Sequence, residues 1–326
     1  MKFLVFVFGL ILAQSSLVSQ DTFSIVCADS TTRQVGSAGA SCVDLIAFGI
    51  NNPSFLGELF PNTGAINSQA SYLPSNQEQA AIRMRAGDTP EQIANWLYEH
   101  DTEDNPDIRQ YGIVRFVGKS AVSQGFTGQS CMDFKNHITG SIDGIAYSIQ
   151  GNILSGQHIL DSMEARFRRE SGSIACKLMA ALQGANSIGA DIRCAPNNTS
   201  SLFSFLKVAK PTDDSKNPSV NISFVSSNGE QIEPITELQR IFDDKVGCQT
   251  VGIIENGTSE NVYFPNPADH IITFTSPQKN IEIISILGKL VFHCENETQS
   301  INIAHIPEGI YSIRTTSLLG KLFISH

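Results

Sequence analysis

The chain has 326 residues, of which 41% are hydrophobic and 17% are charged, with 25 glycines and 13 prolines. This composition excludes a collagen-like, coiled-coil or disordered protein, and the length allows one sizeable core plus a smaller module. The 22 basic and 32 acidic residues give a net charge of −10. A chain without a basic surplus is not expected to bind nucleic acid.

The N-terminal segment has the pattern of a secretory signal peptide. Lys2 precedes a short apolar run from Phe3 to Ala13, and small serine residues follow it. This run is shorter than the roughly 20 residues that a membrane-spanning helix needs. The sequence therefore predicts that residues 1–20 are removed and that the mature protein is exported.

The cysteines do not indicate a metal site. There are 7, none of them in a C-x-x-C pair, so no zinc-ligand spacing is present, and we predict neither a metal nor a cofactor. Export permits disulfides, but an odd number leaves at least one thiol unpaired within the monomer. We interpret Cys27 and Cys176 as buried single cysteines.

The chain divides into a large and a small module. Residues 21–247 carry mixed helix and strand signals, and residues 263–326 have an all-β pattern. Residues 248–262 are rich in Gly, Asn, Thr and Ser and are predicted to be a linker.

Strands and helices alternate in groups along the large module. The predicted strands are Thr22–Ala28, Val35–Cys42, Gly64–Tyr72, Tyr111–Val117, Ala121–Phe126, Ile145–Gln150, Leu202–Lys210 and Val220–Val225. The predicted helices are Gln77–Ala86, one that follows the capping box Thr89-Pro90-Glu91-Gln92, Gly156–Arg169, Ile174–Gln183 and Glu237–Phe242. Two packed sheets with a helix layer outside each would bury every apolar stripe.

Widespread catalytic motifs are missing from this sequence. It contains no Gly-x-Ser-x-Gly elbow, no phosphate-binding loop, no His-Glu-x-x-His and no dinucleotide fingerprint. The reaction class must therefore be sought in less common patterns.

Four segments of the large module together resemble a known family. They are TFSIVCAD at 22–29, FTG at 126–128, YSIQGNILSG at 147–156 and GADIR at 189–193. In this order they resemble the domain of unknown function 1028 family, over roughly residues 22–240. Those proteins are placed by fold among the N-terminal nucleophile (Ntn) hydrolases. The resemblance implies an α+β fold, a four-layer αββα sandwich.

The resemblance also implies a nucleophile. In Ntn hydrolases it is the first residue of the processed chain, and its own α-amine, with a pKa of about 7.7–8.0, is the base. Thr22 is then the candidate. A cut after Gln20 would leave the Thr22 nitrogen in a peptide bond with Asp21, so the mechanism requires a cut or trimming after Asp21. The alternative is that Thr22 only opens a strand, where threonine is favoured.

Five further residues are candidates for the site. Gly151 and Asn152 follow a predicted strand and precede a predicted helix, where N–H groups or the Asn amide could stabilise an oxyanion. Their alternative roles are a turn and a helix cap. Gln150 could orient the substrate. Asp191 and Arg193 could form an ion pair, or Arg193 could bind a substrate carboxylate.

The small module resembles a different family. The segments VYFPNPA at 262–268, IEIISILGK at 281–289, INI at 301–303 and IPEGIYSIR at 306–314 are similar to the C-terminal sorting domain of the type IX secretion system. The resemblance implies a small all-β sandwich that directs passage across the outer membrane, with the type IX machinery as partner. It also implies a secreted or outer-membrane surface location, reached through the periplasm. An adhesive β-module is the alternative.

Two classes of function follow from these features. The first is a secreted hydrolase in which Thr22 attacks a small-molecule or peptide amide. The second is a non-catalytic secreted or surface protein that uses the same scaffold for binding or structure. A free N-terminus at Thr22 distinguishes them.

Overall fold

The computed structural model describes residues 22–248, 263–285, 289–315 and 319–326. The chain splits into two units between Cys248 and Gln249. The predicted signal peptide, Asp21 and residues 249–262 of the predicted linker lie outside the described residues.

The first unit contains ten strands, five α-helices and four short 3-10 helices among its described residues. The strands are β1 (Thr22–Asp29), β2 (Val35–Ser41), β3 (Gly57–Phe60), β4 (Gly64–Ala70), β5 (Arg109–Val117), β6 (Ser120–Thr127), β7 (Asn136–Ile142), β8 (Ile145–Gly151), β9 (Phe203–Ala209) and β10 (Val220–Val225). The helices are α1 (Pro74–Ala86), α2 (Pro90–Glu99), α3 (Gln157–Arg169), α4 (Ile174–Gly184) and α5 (Pro234–Lys245).

These strands form two antiparallel sheets. One has six strands in the order β10-β9-β2-β1-β8-β7, and the other has four in the order β3-β4-β5-β6. Every residue of the central strand β1 is buried, which explains its unbroken run of small and apolar side chains. The first unit is therefore an α+β structure built on antiparallel sheets.

The two faces of β1 contact different partners because side chains alternate along a strand. Phe23 and Ile25 share a core cluster with apolar side chains of α3, α4 and α5. Val26 instead packs with Leu59 and Val114 of the four-stranded sheet. The helices α1 and α2 contact the four-stranded sheet and pack around a third cluster that contains Met84 and Leu97.

The helix boundaries follow from local chemistry. The predicted capping box is present: the Thr89 side chain accepts from the backbone N–H of Gln92, whose side chain accepts from the Thr89 N–H. Helix α1 ends at Gly87, whose φ of 105° is in the left-handed region that favours glycine. Trp96 of α2 is only partly buried against the third cluster and stacks on His100.

Two disulfides connect distant parts of the first unit. Cys42 is bonded to Cys194, and Cys176 is bonded to Cys248. The interpretation of Cys176 as a single cysteine is therefore wrong, because the packing of α4 against α5 brings its first turn beside the residues that follow α5. Cys27 is a buried free cysteine, as predicted, and burial raises its pKa.

The second unit consists of strands in its described residues. They are β11 (Tyr263–Phe264), β12 (Ile271–Gln278), β13 (Ile281–Ser285), β14 (Leu290–Cys294), β15 (Thr298–Asn302), β16 (Gly309–Arg314) and β17 (Leu319–Ile324). They form the sheets β11-β12-β15 and β14-β13-β16-β17, which share one apolar core. The side chains of β13 alternate: Ile281 and Ile283 are buried, while Glu282 pairs with Arg314.

In the part of the chain that the structure describes, no helix is both long and apolar enough to cross a membrane.

Candidate functional site

Thr22 opens β1 in the middle of the six-stranded sheet and is fully buried. It pairs with Ser41 of β2. Its carbonyl oxygen accepts hydrogen bonds from the backbone N–H of Asn152 (3.2 Å) and from Nε2 of Gln69 (2.8 Å). Three separate strands or strand ends therefore fix the backbone position of Thr22.

Gln69 and Gln110 connect Thr22 to the four-stranded sheet. Gln69 Nε2 donates to Gln110 Oε1 at 2.7 Å, and Gln69 Oε1 accepts from the hydroxyl of Ser24 at 2.6 Å. Gln110 Nε2 donates to the carbonyl of Gly151 at 3.0 Å and of Asn136 at 3.1 Å. The amide orientations of both glutamines follow from these backbone acceptors.

Asn152 directly follows β8 and is fully buried. Its Nδ2 donates to Gln110 Oε1 at 3.0 Å, which fixes the orientation of its own amide. Its Oδ1 has no hydrogen-bond partner among the described residues. An unpaired buried acceptor costs about 1–3 kcal/mol. A water or a ligand that donates a hydrogen bond would satisfy this atom.

The turn around Asn152 differs from the predicted one. Helix α3 begins only at Gln157, with Gly156 as its N-cap, so Asn152 neither caps a helix nor lies at its N-terminus. The backbone N–H of Asn152 already donates to the Thr22 carbonyl, so this N–H is not available as an oxyanion donor. Gly151, the last residue of β8, precedes Asn152. A Cβ at Gly151 would lie 2.6 Å from Leu154 Cδ1, so a larger residue would crowd Leu154.

Ile153 holds an unusual backbone conformation next to Asn152. Its φ is 53°, and a β-branched residue rarely adopts the left-handed region. Its N–H donates to the carbonyl of Met132 (3.2 Å), and its carbonyl accepts from the N–H of Ile192 (3.1 Å). The side chains of Met132 and Ile192 are about half exposed. Strain of this kind concentrates at functional sites.

Gln150 lies between the sheets with every amide atom bonded to protein. Its Nε2 donates to Ser24 Oγ at 2.6 Å, and its Oε1 accepts from Ser148 Oγ at 2.9 Å. Gly112 of β5 makes room for it, since a Cβ there would lie 2.0 Å from Gln150 Oε1. Gln150 thus holds Ser24, which in turn bonds Gln69.

Asp191 and Arg193 form the ion pair that was one of the two predicted alternatives. The buried Asp191 carboxylate accepts from Arg193 Nε (2.9 Å), from its Nη2 (2.6 Å) and from its backbone N–H (3.1 Å). Asp191 also accepts from the N–H of Cys42 at 3.1 Å. Cys42 follows Ser41, the β2 partner of Thr22, so the pair is anchored near the start of β1.

Thr127 and His137 extend the network away from Thr22. Gln110 Nε2 donates to Thr127 Oγ1 at 2.9 Å, and Thr127 Oγ1 lies 2.9 Å from His137 Nδ1. Burial lowers the pKa of His137, so its neutral ring can accept the Thr127 hydroxyl hydrogen. Sequence reasoning missed Gln69, Gln110 and Thr127. The available signal was a glutamine within one predicted strand, Gly64–Tyr72, and another directly before the predicted strand Tyr111–Val117.

The geometry defines an α+β protein with a buried amide network at the start of its central strand. The sequence matches the family of unknown function DUF1028 over residues 22–238, and the chain belongs to that family. The match begins at Thr22. Residues 262–323 match a secretion system C-terminal sorting domain.

A solved structure shows the same fold. The crystal structure of a DUF1028 protein from Silicibacter pomeroyi is similar to this chain, with a TM-score of 0.51 and 21% sequence identity. The similarity covers 69% of this chain and 88% of that chain. No curated protein is significantly similar to the sequence.

The sorting domain determines the destination of the protein. It is the signal of the type IX secretion system, so it interacts with that machinery, and the protein is secreted or located at the outer-membrane surface.

Proposed function

We propose that this protein is a secreted amide-bond hydrolase of the Ntn class, with Thr22 as the nucleophile once the preceding residues are removed. The observation that carries the proposal is the unpaired, fully buried Oδ1 of Asn152 beside the backbone of Thr22. Two further observations support it. The family match starts at Thr22, and each of two facing sheets contacts helices, as in a four-layer αββα sandwich.

The proposed reaction uses the two functional groups of an N-terminal threonine. The free α-amine of Thr22 takes the proton of its own hydroxyl, and Oγ1 attacks the carbonyl carbon of the substrate amide. The C–N bond then breaks, the proton passes to the leaving amine, and an ester to Thr22 remains. Water, deprotonated by the same amine, hydrolyses this ester and restores the hydroxyl.

Asn152 would serve this reaction with both ends of its amide. One Nδ2 hydrogen is used by Gln110, and the second would stabilise the oxyanion. The unpaired Oδ1 would accept from an N–H of the freed amine or of the substrate. Removal of one oxyanion donor typically raises the activation barrier by roughly 2.7–4 kcal/mol.

The other candidates would act through positioning. Gln150 and Gly151 would hold Ser24 and the Gln110 amide, which fix Gln69 and Asn152. The Asp191–Arg193 pair would fix the segment after Cys42. The half-exposed side chains of Met132 and Ile192, which flank Ile153, favour a substrate with an apolar group near the scissile amide.

The proposed organisation of the whole chain follows from the same argument. Residues 1–20 would be a signal peptide, residues 21–247 the Ntn-like module, residues 248–262 a linker and residues 263–326 the sorting module. Asp21 would have to leave with the signal peptide or be trimmed afterwards.

A second candidate is a non-catalytic surface protein on the same scaffold. The observation that favours it is the complete burial of Thr22 in a chain that continues before it. If Asp21 stays attached, the Thr22 nitrogen is an amide and cannot act as a base.

The first test is the N-terminal sequence and intact mass of protein collected from culture medium. The hydrolase proposal expects a chain that starts at Thr22. A population that starts entirely at Gln20 or Asp21 would contradict it and favour the binding protein.

Activity is then tested on a panel of amino-acid p-nitroanilides. We expect Thr22→Ala to abolish turnover and Thr22→Ser to retain part of it. Asn152→Ala should lower kcat/KM by roughly 100- to 1,000-fold. The exposed residues Thr31 and Asn221 provide the matched controls Thr31→Ala and Asn221→Ala, which should keep full activity.

A further inference from the structure

The start and the end of the second unit come together through backbone pairing. Ala268 forms a parallel bridge with Ile324. Its N–H donates to the Phe323 carbonyl at 2.7 Å, and its carbonyl accepts from the Ser325 N–H at 2.9 Å. The residues that follow Ala268 are therefore fixed beside His326.

Three side chains with metal-ligating atoms meet at this junction. They are Asp269, His270 and His326, and one ligand atom from each lies within 4.8 Å of the others. The Nδ1 of His326 lies 3.2 Å from Oδ1 of Asp269, and the Nδ1 of His270 contacts the same oxygen. Zinc bonds of about 2.0–2.1 Å place neighbouring tetrahedral ligand atoms roughly 3.4 Å apart. Small side-chain rotations would bring this set to that spacing.

The orientation of His326 is set by a hydrogen bond on its far side. Its Nε2 lies 2.9 Å from the carbonyl oxygen of Ile306, and a carbonyl can only accept, so Nε2 carries the hydrogen. The Nδ1 of His326 faces the Asp269 carboxylate and donates to it when the ring is protonated; a bound metal ion would take the place of that hydrogen. A ligating histidine characteristically donates its other N–H to a carbonyl or carboxylate. The backbone N–H of His326 is also held, by Glu308 Oε1 at 2.9 Å.

We propose that Asp269, His270 and His326 bind one divalent transition-metal ion of the Zn²⁺ class. Two imidazoles and one carboxylate suit zinc, whereas magnesium and calcium require oxygen ligands. All three side chains reach solvent, so water completes the coordination shell. The ion would join the segment after Ala268 to the end of β17 in the sorting domain. The proposal is independent of the chemistry at Thr22.

Sequence spacing did not reveal this group, because His326 is separated from His270 by most of the second unit. Only the bridge between Ala268 and Ile324 brings them together. Among the described residues, this is the group of His, Cys, Asp and Glu side chains that the fold gathers closely enough to hold an ion.

The test is isothermal titration of the full-length, tag-free protein with ZnCl₂, with MgCl₂ as the comparison. We expect one zinc ion per chain and no magnesium binding. His326→Ala, His270→Ala and Asp269→Asn should each weaken zinc binding roughly tenfold or more. His293→Ala and His305→Ala, which change exposed histidines outside the group, should leave it unchanged.

Protonation and unfolding give second readouts. Zinc requires neutral imidazoles, so its affinity should fall as the pH drops and the histidines become protonated. Zinc should raise the melting temperature of the wild type but not of His326→Ala. The proposal is overturned if zinc does not bind the wild type, or if His326→Ala and His270→Ala bind zinc as tightly as the wild type. It is also overturned if His293→Ala weakens zinc binding as much as these two changes do.

Discussion

At the scale of single residues, amide side chains from the four-stranded sheet contact Thr22 and Asn152 of the six-stranded sheet and its end. Thr22 and Asn152, taken from family motifs, lie in contact through the backbone. Gln69 and Gln110, which connect them to the second sheet, were missed because strand patterns do not show which sheets face each other. Only after the sheets are packed do two distant glutamines become neighbours of one threonine.

Asp101 and Arg109 form a buried ion pair that the sequence pattern does not reveal. Asp101 begins an acidic stretch that also contains Glu103, Asp104 and Asp107, yet it is buried and lies 2.8 Å from Arg109 Nε. Burial alone would raise its pKa. The hydrogen bonds from Arg109, Asn76 and the backbone N–H groups of Asn105 and Glu103 outweigh burial and lower the pKa to about 2.

The lowered pKa of Asp101 predicts that the free energy of unfolding falls in acid. The folded-state pKa of Asp101 lies below its ordinary value of about 3.9. Its ionised form therefore stabilises the fold above about pH 4, and this stabilisation, of roughly 2 kcal/mol, is lost as the pH falls through about 2. Denaturant unfolding measured between pH 5 and pH 2 checks it. Asp104→Asn, a change at an exposed neighbour, should follow the wild-type curve, and a flat wild-type curve would contradict the prediction.

At the scale of elements, most strands and helices could be predicted because their apolar periodicity is strong. The hairpin of β5 and β6 and the helix after the Thr89 capping box are examples. Strands β3 and β7 were missed. Strand β3 has only four residues, and β7 lies at the sheet edge with no buried residue, so neither produces an alternating pattern.

The disulfide between Cys42 and Cys194 belongs to this scale because it links the end of β2 to the segment after Asp191. Cross-linking residues that are 152 positions apart in sequence removes much of the freedom of the unfolded chain. We expect the double variant Cys42→Ser/Cys194→Ser to lose about 2–5 kcal/mol of unfolding free energy. Chemical denaturation of the wild type and the double variant under oxidising conditions measures this difference in unfolding free energy.

Cys294→Ser is the matched control, since Cys294 is a free cysteine of the second unit. It should unfold with the wild-type midpoint for the first unit. Equal midpoints for the control and the double variant would show that the bond does not stabilise the fold.

At the scale of the whole molecule, the sequence predicted two modules, and the family matches cover the same two regions. The strand order could not be derived from it. Strand β9 pairs with β2 although more than half of the first unit separates them in sequence. Such long-range pairing depends on the shape of the assembled core rather than on local pattern.

The division into two units predicts how a truncated chain behaves. Deleting residues 263–326 removes the sorting domain, so the protein should stop in the periplasm instead of reaching the medium or the cell surface. The unit that ends at Cys248 should melt at its original temperature. Cell fractionation and calorimetry measure both effects. Truncated protein in the medium at wild-type amounts would contradict the expectation.

The bond between Cys42 and Cys194 also determines when the segment around Asp191 becomes cross-linked. The cytoplasm keeps thiols reduced, and disulfides form in the periplasm. While the chain is being made, the Asp191 segment therefore lacks its covalent attachment beside Thr22. The disulfide constrains the Asp191 segment only after the chain has been exported from the cytoplasm. Protein produced in a reducing cytoplasm would therefore lack the bond between Cys42 and Cys194.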